Sequence, residues 1–248
     1  MSSLRGSTVL ALHAHPDDEA IFTGITLRRL ADAGARVVLV LATAGELGES
    51  RLPLAPGEDI GRRRTAELER SAELLGVSRL VLLGCRDSGL PGWPTGAHPR
   101  SLAGSCVVAL GRRVADLVYE EAADTLVFDD DGGVYGHPDH RASAAVGSVA
   151  AQLTGAAAYR VTVDRERTGH LVRNAAAAAD VRFGRAASEI TLAVTGGPEH
   201  IARKHAAIRA HASQVGPEHL PLEGFAEAYG TEWYRHHGVD GALSLLAG

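Results

Sequence analysis

The chain has 248 residues, 45% of them hydrophobic, enough to bury a substantial core in one large domain spanning 1–248. Its 25 basic and 30 acidic side chains leave a net charge of −5 with no basic block, which argues against a nucleic-acid or anionic-membrane surface and for a small soluble substrate. The clearest apolar run, about six residues at 37–42, falls far short of the roughly 20 that span a bilayer, and no signal-peptide pattern opens the chain, so no membrane contact and a cytoplasmic location are expected, with a homo-oligomer left open.

In chain order, an apolar β-branched run at 8–12 is followed by the polar string "HAHPDDE" and a helical pattern over 18–33 that Gly34 stops. A second strand is expected at 36–42, a helix at 58–75 stopped by Gly76, and a third strand at 79–83. Residues 84–101, with three prolines and four glycines, read as a long loop of the kind that walls binding sites. A helix at 102–122, a strand at 125–128, a glycine-rich turn and a helix at 138–153 follow, then strands at 159–163 and 189–194 and a helix at 198–212. Residues 164–187 fit either a helix or an irregular excursion. Strands with little polar alternation, joined by helices, imply an α/β fold: an open, doubly wound, mostly parallel, Rossmann-like sheet with helices on both faces. In the common strand order 3-2-1-4-5, ligands bind between strands one and four.

Two polar clusters fall at that crevice. After strand one stand His15, Asp17 and Asp18; after strand four stand His137, Asp139 and His140. A catalytic divalent site typically takes three protein ligands from His and carboxylate and leaves a position open, and His15, Asp18 and His140 fill that set. Asp17 lies beside them as a base able to take a proton from water, and His137 is placed to donate to a developing oxyanion or a leaving amine. The bland alternative is that each His-Pro-Asp string only starts a helix. Two copies flanking the expected switch point weigh against it.

At these residues the chain resembles the zinc-dependent N-acetylglucosaminyl deacetylases of the PIG-L/LmbE type, which include the mycothiol and bacillithiol deacetylases. The resemblance rests on "AHPDDE" at 14–19 and "YGHPDH" at 135–140, and extends to "GELG" at 45–48, "RTAELERSAELLGV" at 64–77, "RDSGL" at 86–90 and "KHAAIRAHASQ" at 204–214. It implies Zn2+ on His15, Asp18 and His140, with Fe2+ possible; Asp17 as general base; an electrostatic or acid role for His137, oriented by a hydrogen bond to Asp139; and Tyr135 as a mobile contact to the tetrahedral intermediate. Arg64 and Asp87 would bind the substrate. The implied reaction removes acetyl, or a similar acyl group, from the amine of an N-acetylamino sugar or its glycoside. An amidase for a larger acyl-amine, such as a thiol conjugate or antibiotic intermediate, is the alternative, and a non-catalytic metal-binding module is a second.

The remaining candidates carry less. A dinucleotide site requires G-x-G-x-x-G after strand one, and a serine hydrolase requires G-x-S-x-G; neither string occurs. His13 is expected to be a satisfied core histidine, Glu19 to start the helix or back the metal ligands, and Asp129, Asp130 and Asp131 to form a turn. His205, His211, His236 and His237 lack the spacing of a helical zinc pair. Cys85 and Cys106 are expected to be buried apolar residues. Lys204, the one lysine against 24 arginines, suggests a composition preference, and its match to the family's late helix a structural ion pair.

Overall fold

The computed structural model describes residues 3–168, 183–216 and 223–247. Strands β1 (Thr8–His13), β2 (Arg36–Leu41), β3 (Arg79–Leu82), β4 (Thr125–Asp129), β5 (Ala157–Thr162), β6 (Leu192–Thr195) and β7 (Thr231–His236) form one sheet in the order β3-β2-β1-β4-β5-β7-β6. Strands β3 through β5 pair in parallel, and β7 is antiparallel to both β5 and β6. The helices are α1 (Asp18–Asp32), α2 (Ile60–Leu75), α3 (Val107–Glu120), the single irregular turn α4 (Gly133–Gly136), α5 (Pro138–Thr154), α6 (Arg165–Thr168), α7 (Pro198–Ala210) and α8 (Phe225–Tyr229).

The period of two in β1 sets the layering. Val9 and Ala11 pack into a core with Leu27 and Leu30 of α1, Leu68 and Leu75 of α2 and Ile208 of α7. Leu10 and Leu12 face the opposite side, into a second core with Val114 and Val118 of α3 and Val146 and Ala150 of α5. These four side chains are fully buried, and burying each of Val9, Leu10 and Leu12 is worth about 1.5–3 kcal/mol. The doubly wound sheet and its 3-2-1-4-5 core order are thus as the alternating pattern implies. Gly76 caps α2 with φ +77°, where a Cβ would approach that of Ala31 to 2.7 Å, so only glycine closes that turn against α1.

Differences cluster at the far edge. β7, "TEWYRH", is not foreseen, because its charged residues hide a strand whose Glu232 is fully buried. That carboxylate accepts from the backbone N–H groups of Ile25 and Thr26 in the middle of α1, and from Lys204 Nζ at 2.7 Å. Gly24 makes the room: a Cβ there would lie 3.1 Å from Lys204 Cγ. Lys204 therefore forms the ion pair anticipated for the late helix, and burial pulls its ammonium below the usual lysine range against the pull of Glu232.

The helix expected from residue 102 begins at Val107, because the hydroxyls of Ser101 and Ser105 bond locally to loop carbonyls instead. Cys106, expected to be buried, is exposed at the N-cap of that helix, and Cys85 is half-buried. Most of the uncertain stretch 164–187 lies outside the described residues. No helix among the described residues is long and apolar enough to cross a membrane.

Candidate functional site

β1 ends at His13, whose Nε2 meets Thr23 Oγ1 at 2.9 Å inside the core. The chain then turns into α1, and the turn is closed reciprocally. His15 N–H donates to Asp18 Oδ2 at 2.8 Å, and Asp18 N–H to the His15 carbonyl at 3.3 Å. Asp17 sits between them at φ +116°, a left-handed conformation costly for a non-glycine residue. It occupies the N-cap position, yet its side chain makes no capping bond. Its carboxylate turns instead to Arg64 Nη2 at 3.2 Å, so helix capping does not explain this residue.

The second cluster comes from the turn between β4 and α5. His137 is the N-cap of α5, with Nδ1 accepting from Asp139 N–H at 3.2 Å, so the helix-start reading holds for this one residue. His140, one turn in, is fully buried. Val134 before it has φ +56°, strained for a β-branched residue; its N–H and that of Gly132 both donate to Asp130 Oδ1, which ties the turn down. Asp130 thus has the turn-forming role expected of it, and Asp131 beside it pairs with Arg185 and Arg235.

The two clusters meet across the β1/β4 switch point. Ligand-type atoms of His15, Asp18 and His140 lie within 4.8 Å of one another, as do those of His15, His137 and Asp139. His140 Nε2 is 3.3 Å from Asp18 Oδ1 and His15 Nδ1 is 3.7 Å from Asp18 Oδ2. Each ring's other nitrogen faces a carboxylate: His15 Nε2 meets Asp139 Oδ2 at 3.1 Å, and His140 Nδ1 lies 3.2 Å from Asp129 Oδ2. Carboxylates placed behind imidazoles in this way fix the tautomer that leaves the inner nitrogen free for a cation. The donor set therefore fits a divalent ion of the first transition series.

The electrostatics agree. Burial would lower the His15 and His140 pKa values, but Asp139 and Asp18 around the first, and Asp18 and Asp129 around the second, raise both above the ordinary histidine range. Asp18 is held well below the usual carboxylate range because His140 and His15 outweigh its burial. Raised imidazoles around a lowered carboxylate mark a pocket that favours positive charge, which a cation would supply. Asp17 is raised by burial, against the pull of Arg64. His137 is lowered to about 3 by burial and by the charges of His15 and His140, so its ring is neutral and, with Nδ1 accepting, carries its proton on Nε2.

Several expected roles look different in place. Asp139 orients His15 rather than His137: its Oδ2 accepts from His15 Nε2 and from Ser88 N–H at 2.9 Å. Arg64 is buried, and its guanidinium is spent on the carbonyls of Gly45 and Pro16 and on Asp17. Glycine in "GELG" makes that possible, since a Cβ at Gly45 would approach Arg64 Nη1 to 2.3 Å. Asp87 accepts from Gly89 N–H and Leu47 N–H, with Oδ1 3.8 Å from His15 Nε2, and so joins the 84–101 loop to the centre. Tyr135 Oη is 3.2 Å from His140 Nε2, and burial pushes its phenol up, keeping it a donor. Asp129, expected to form a turn with Asp130 and Asp131, is instead a strand residue whose carboxylate faces His140. Its signal is position: it is the buried last residue of β4, at the carboxyl end where this fold binds ligands.

Alongside Asp17, Asp18 and Tyr135 opens a cavity of about 260 Å³, walled by Ile21, Phe22 and Trp233 and reaching Lys204 and Glu232.

Comparison with known proteins gives the same family for this site. The family model described as GlcNAc-PI de-N-acetylase, PIG-L, matches residues 10–151. A 1D-myo-inositol 2-acetamido-2-deoxy-alpha-D-glucopyranoside deacetylase of Nakamurella multipartita is 39% identical over 253 residues, covering 88% of this chain and 82% of the relative. One of the same name from Thermobifida fusca is 42% identical over 142 residues, 53% of this chain and only 50% of that protein's length. The structure of N,N'-diacetylchitobiose deacetylase from Pyrococcus horikoshii superposes with a TM-score of 0.64 at 23% identity, covering 93% of this chain and 84% of the other, which is a likeness of fold. The chain belongs to the PIG-L, GlcNAc-PI de-N-acetylase, family.

Proposed function

We propose that the chain is a metal-dependent N-deacetylase that hydrolyses the acetamide of an N-acetylated amino sugar or its glycoside. The observation that carries this reading is the pair of inner imidazole nitrogens turned toward Asp18, each ring backed by a buried carboxylate. Both relatives described above bear the name of a deacetylase for an N-acetylglucosamine glycoside of inositol, which makes such a glycoside the first substrate to test.

His15, Asp18 and His140 would hold the ion, zinc by the His/His/Asp donor set, with iron(II) fitting the same ligands. A divalent cation there supplies Lewis acidity, polarising the amide carbonyl and making water acidic enough to ionise near neutral pH. Asp17 takes the proton from the attacking water as the oxygen–carbon bond forms, and returns it to the nitrogen as the carbon–nitrogen bond breaks, so acetate and free amine leave. His137 donates its Nε2–H to the developing oxyanion, and Tyr135 Oη offers a second donor. Arg64 acts through Asp17, holding its carboxylate rather than a sugar hydroxyl.

A second reading, hydrolysis of an amide with an acyl group larger than acetyl, is favoured by the apolar cavity beside Asp17, which exceeds what a methyl group fills.

Elemental analysis of purified variants tests the assignment. Asp18→Ala is expected to lose the bound ion, whereas Asp17→Asn retains it and loses roughly 10²–10⁴ in kcat, the range for a positioned base. Loss of metal in Asp17→Asn equal to that in Asp18→Ala would reverse the two carboxylates.

A further inference from the structure

Asp17 is held from two directions. Arg64 takes its carboxylate. Its backbone N–H, in the strained left-handed turn, donates to Glu19 Oε2 at 3.0 Å. The other oxygen of Glu19 accepts from Ser71 Oγ at 2.5 Å and meets His211 Nε2 at 2.7 Å. All three side chains are fully buried. They come from three separate elements: α1, α2 and the C-cap of α7. The end of α7 is itself tied to α2, because Ser213 N–H and Oγ both donate to Glu67.

We infer that Glu19, Ser71 and His211 form a positioning unit that keeps Asp17 in its left-handed conformation, with its carboxylate directed at the reacting water. The physical argument is one of strain. A non-glycine residue at φ +116° relaxes toward the ordinary helical region unless its surroundings over-determine it. Such relaxation would swing the carboxylate out of its present position. A helix N-terminus needs no such device, since Asp17 N–H could meet water at the surface. A carboxylate fully buried to receive that single N–H, and clamped by two donors of its own, is costly without a positional purpose. His211 lies 192 residues away in sequence from Glu19 and touches no ligand of the proposed ion, so its contribution passes through Glu19 and Asp17.

This inference rests on Asp17 being the base, and a double-mutant cycle on the zinc-loaded enzyme separates the two ideas. His211→Ala is expected to lower kcat by roughly 10–100-fold, the cost of misplacing a reacting group by about an ångström, with KM and bound zinc unchanged. In the Asp17→Asn background the same change should cost less than about 3-fold, because the group it positions is already gone. His211→Gln, whose amide N–H reaches the same carboxylate, should restore most of the rate. Equal losses in both backgrounds, loss of the ion, or a raised KM at unchanged kcat would overturn the positioning role. An Asp17→Asn enzyme with full kcat would overturn the base assignment and the unit with it. Should His211→Ala fail to fold, Ser71→Ala removes one of the two clamps and runs the same cycle under the same criteria.

Discussion

His137 shows how a residue's role depends on a neighbour that sequence order hides. Read beside Asp139, it resembles an imidazolium held by a carboxylate, and it would then give a bell-shaped rate profile with its own basic limb. In the fold its Nδ1 accepts a backbone N–H, Asp139 turns to His15, and burial with two nearby imidazoles lowers its pKa to about 3. With Nδ1 accepting, the ring is neutral and donates from Nε2. His137→Ala should therefore depress kcat by roughly 10²–10³, as removal of an oxyanion donor does, while leaving any basic limb where it was. The acidic limb belongs to the base: activity requires Asp17 ionised, so rate is lost as pH falls through its pKa, which burial raises. A kcat–pH series on His137→Ala and Asp17→Asn checks both, and a basic limb that vanishes only in His137→Ala would restore the imidazolium. The residue types and spacings of the site were legible because ligand chemistry is local to each string. The pairings of Asp129, Asp139 and Arg64 were not, since they depend on side-chain direction across elements far apart in the chain.

At the scale of elements, periodicity carried the strands and helices that flank the site, and failed where charge is buried. β7 escaped notice because Glu232 reads as surface, whereas it is fastened to the interior of α1 and to Lys204. Glu232→Gln removes the partner of a buried ammonium and presents an amide NH₂ to a backbone N–H, so it should destabilise the fold by about 3–5 kcal/mol, measured by urea unfolding at neutral pH. A change under about 1 kcal/mol would mean the pair is solvated in solution. The segment after β2 gives a second test. Gly45→Ala adds a Cβ against the Arg64 guanidinium at a residue with φ +63°, and should cost about 1–3 kcal/mol of stability together with roughly 10-fold in kcat as Arg64 releases Asp17. Full activity in that variant would detach Arg64 from the base.

At the scale of the whole molecule, the doubly wound sheet brings two strings more than 100 residues apart to one crevice, His15 and Asp18 from the turn into α1 and His140 from the first turn of α5. Topology rules made that meeting foreseeable before any coordinate, because the switch point follows from strand order alone. If the ligands are those three, zinc at about 100 times its Kd should raise the melting temperature by roughly 5–10 °C, and Asp18→Ala should abolish the shift. The most direct test of the account is amine release from a panel of N-acetylglucosamine derivatives, the inositol glycoside among them, by the same preparation before and after removal of metal by a chelator and after zinc is returned. Release by the metal-loaded enzyme, its loss on chelation and its recovery with zinc are the predicted result; no release from any acylated amino sugar, or release undiminished in the metal-free protein, would contradict it.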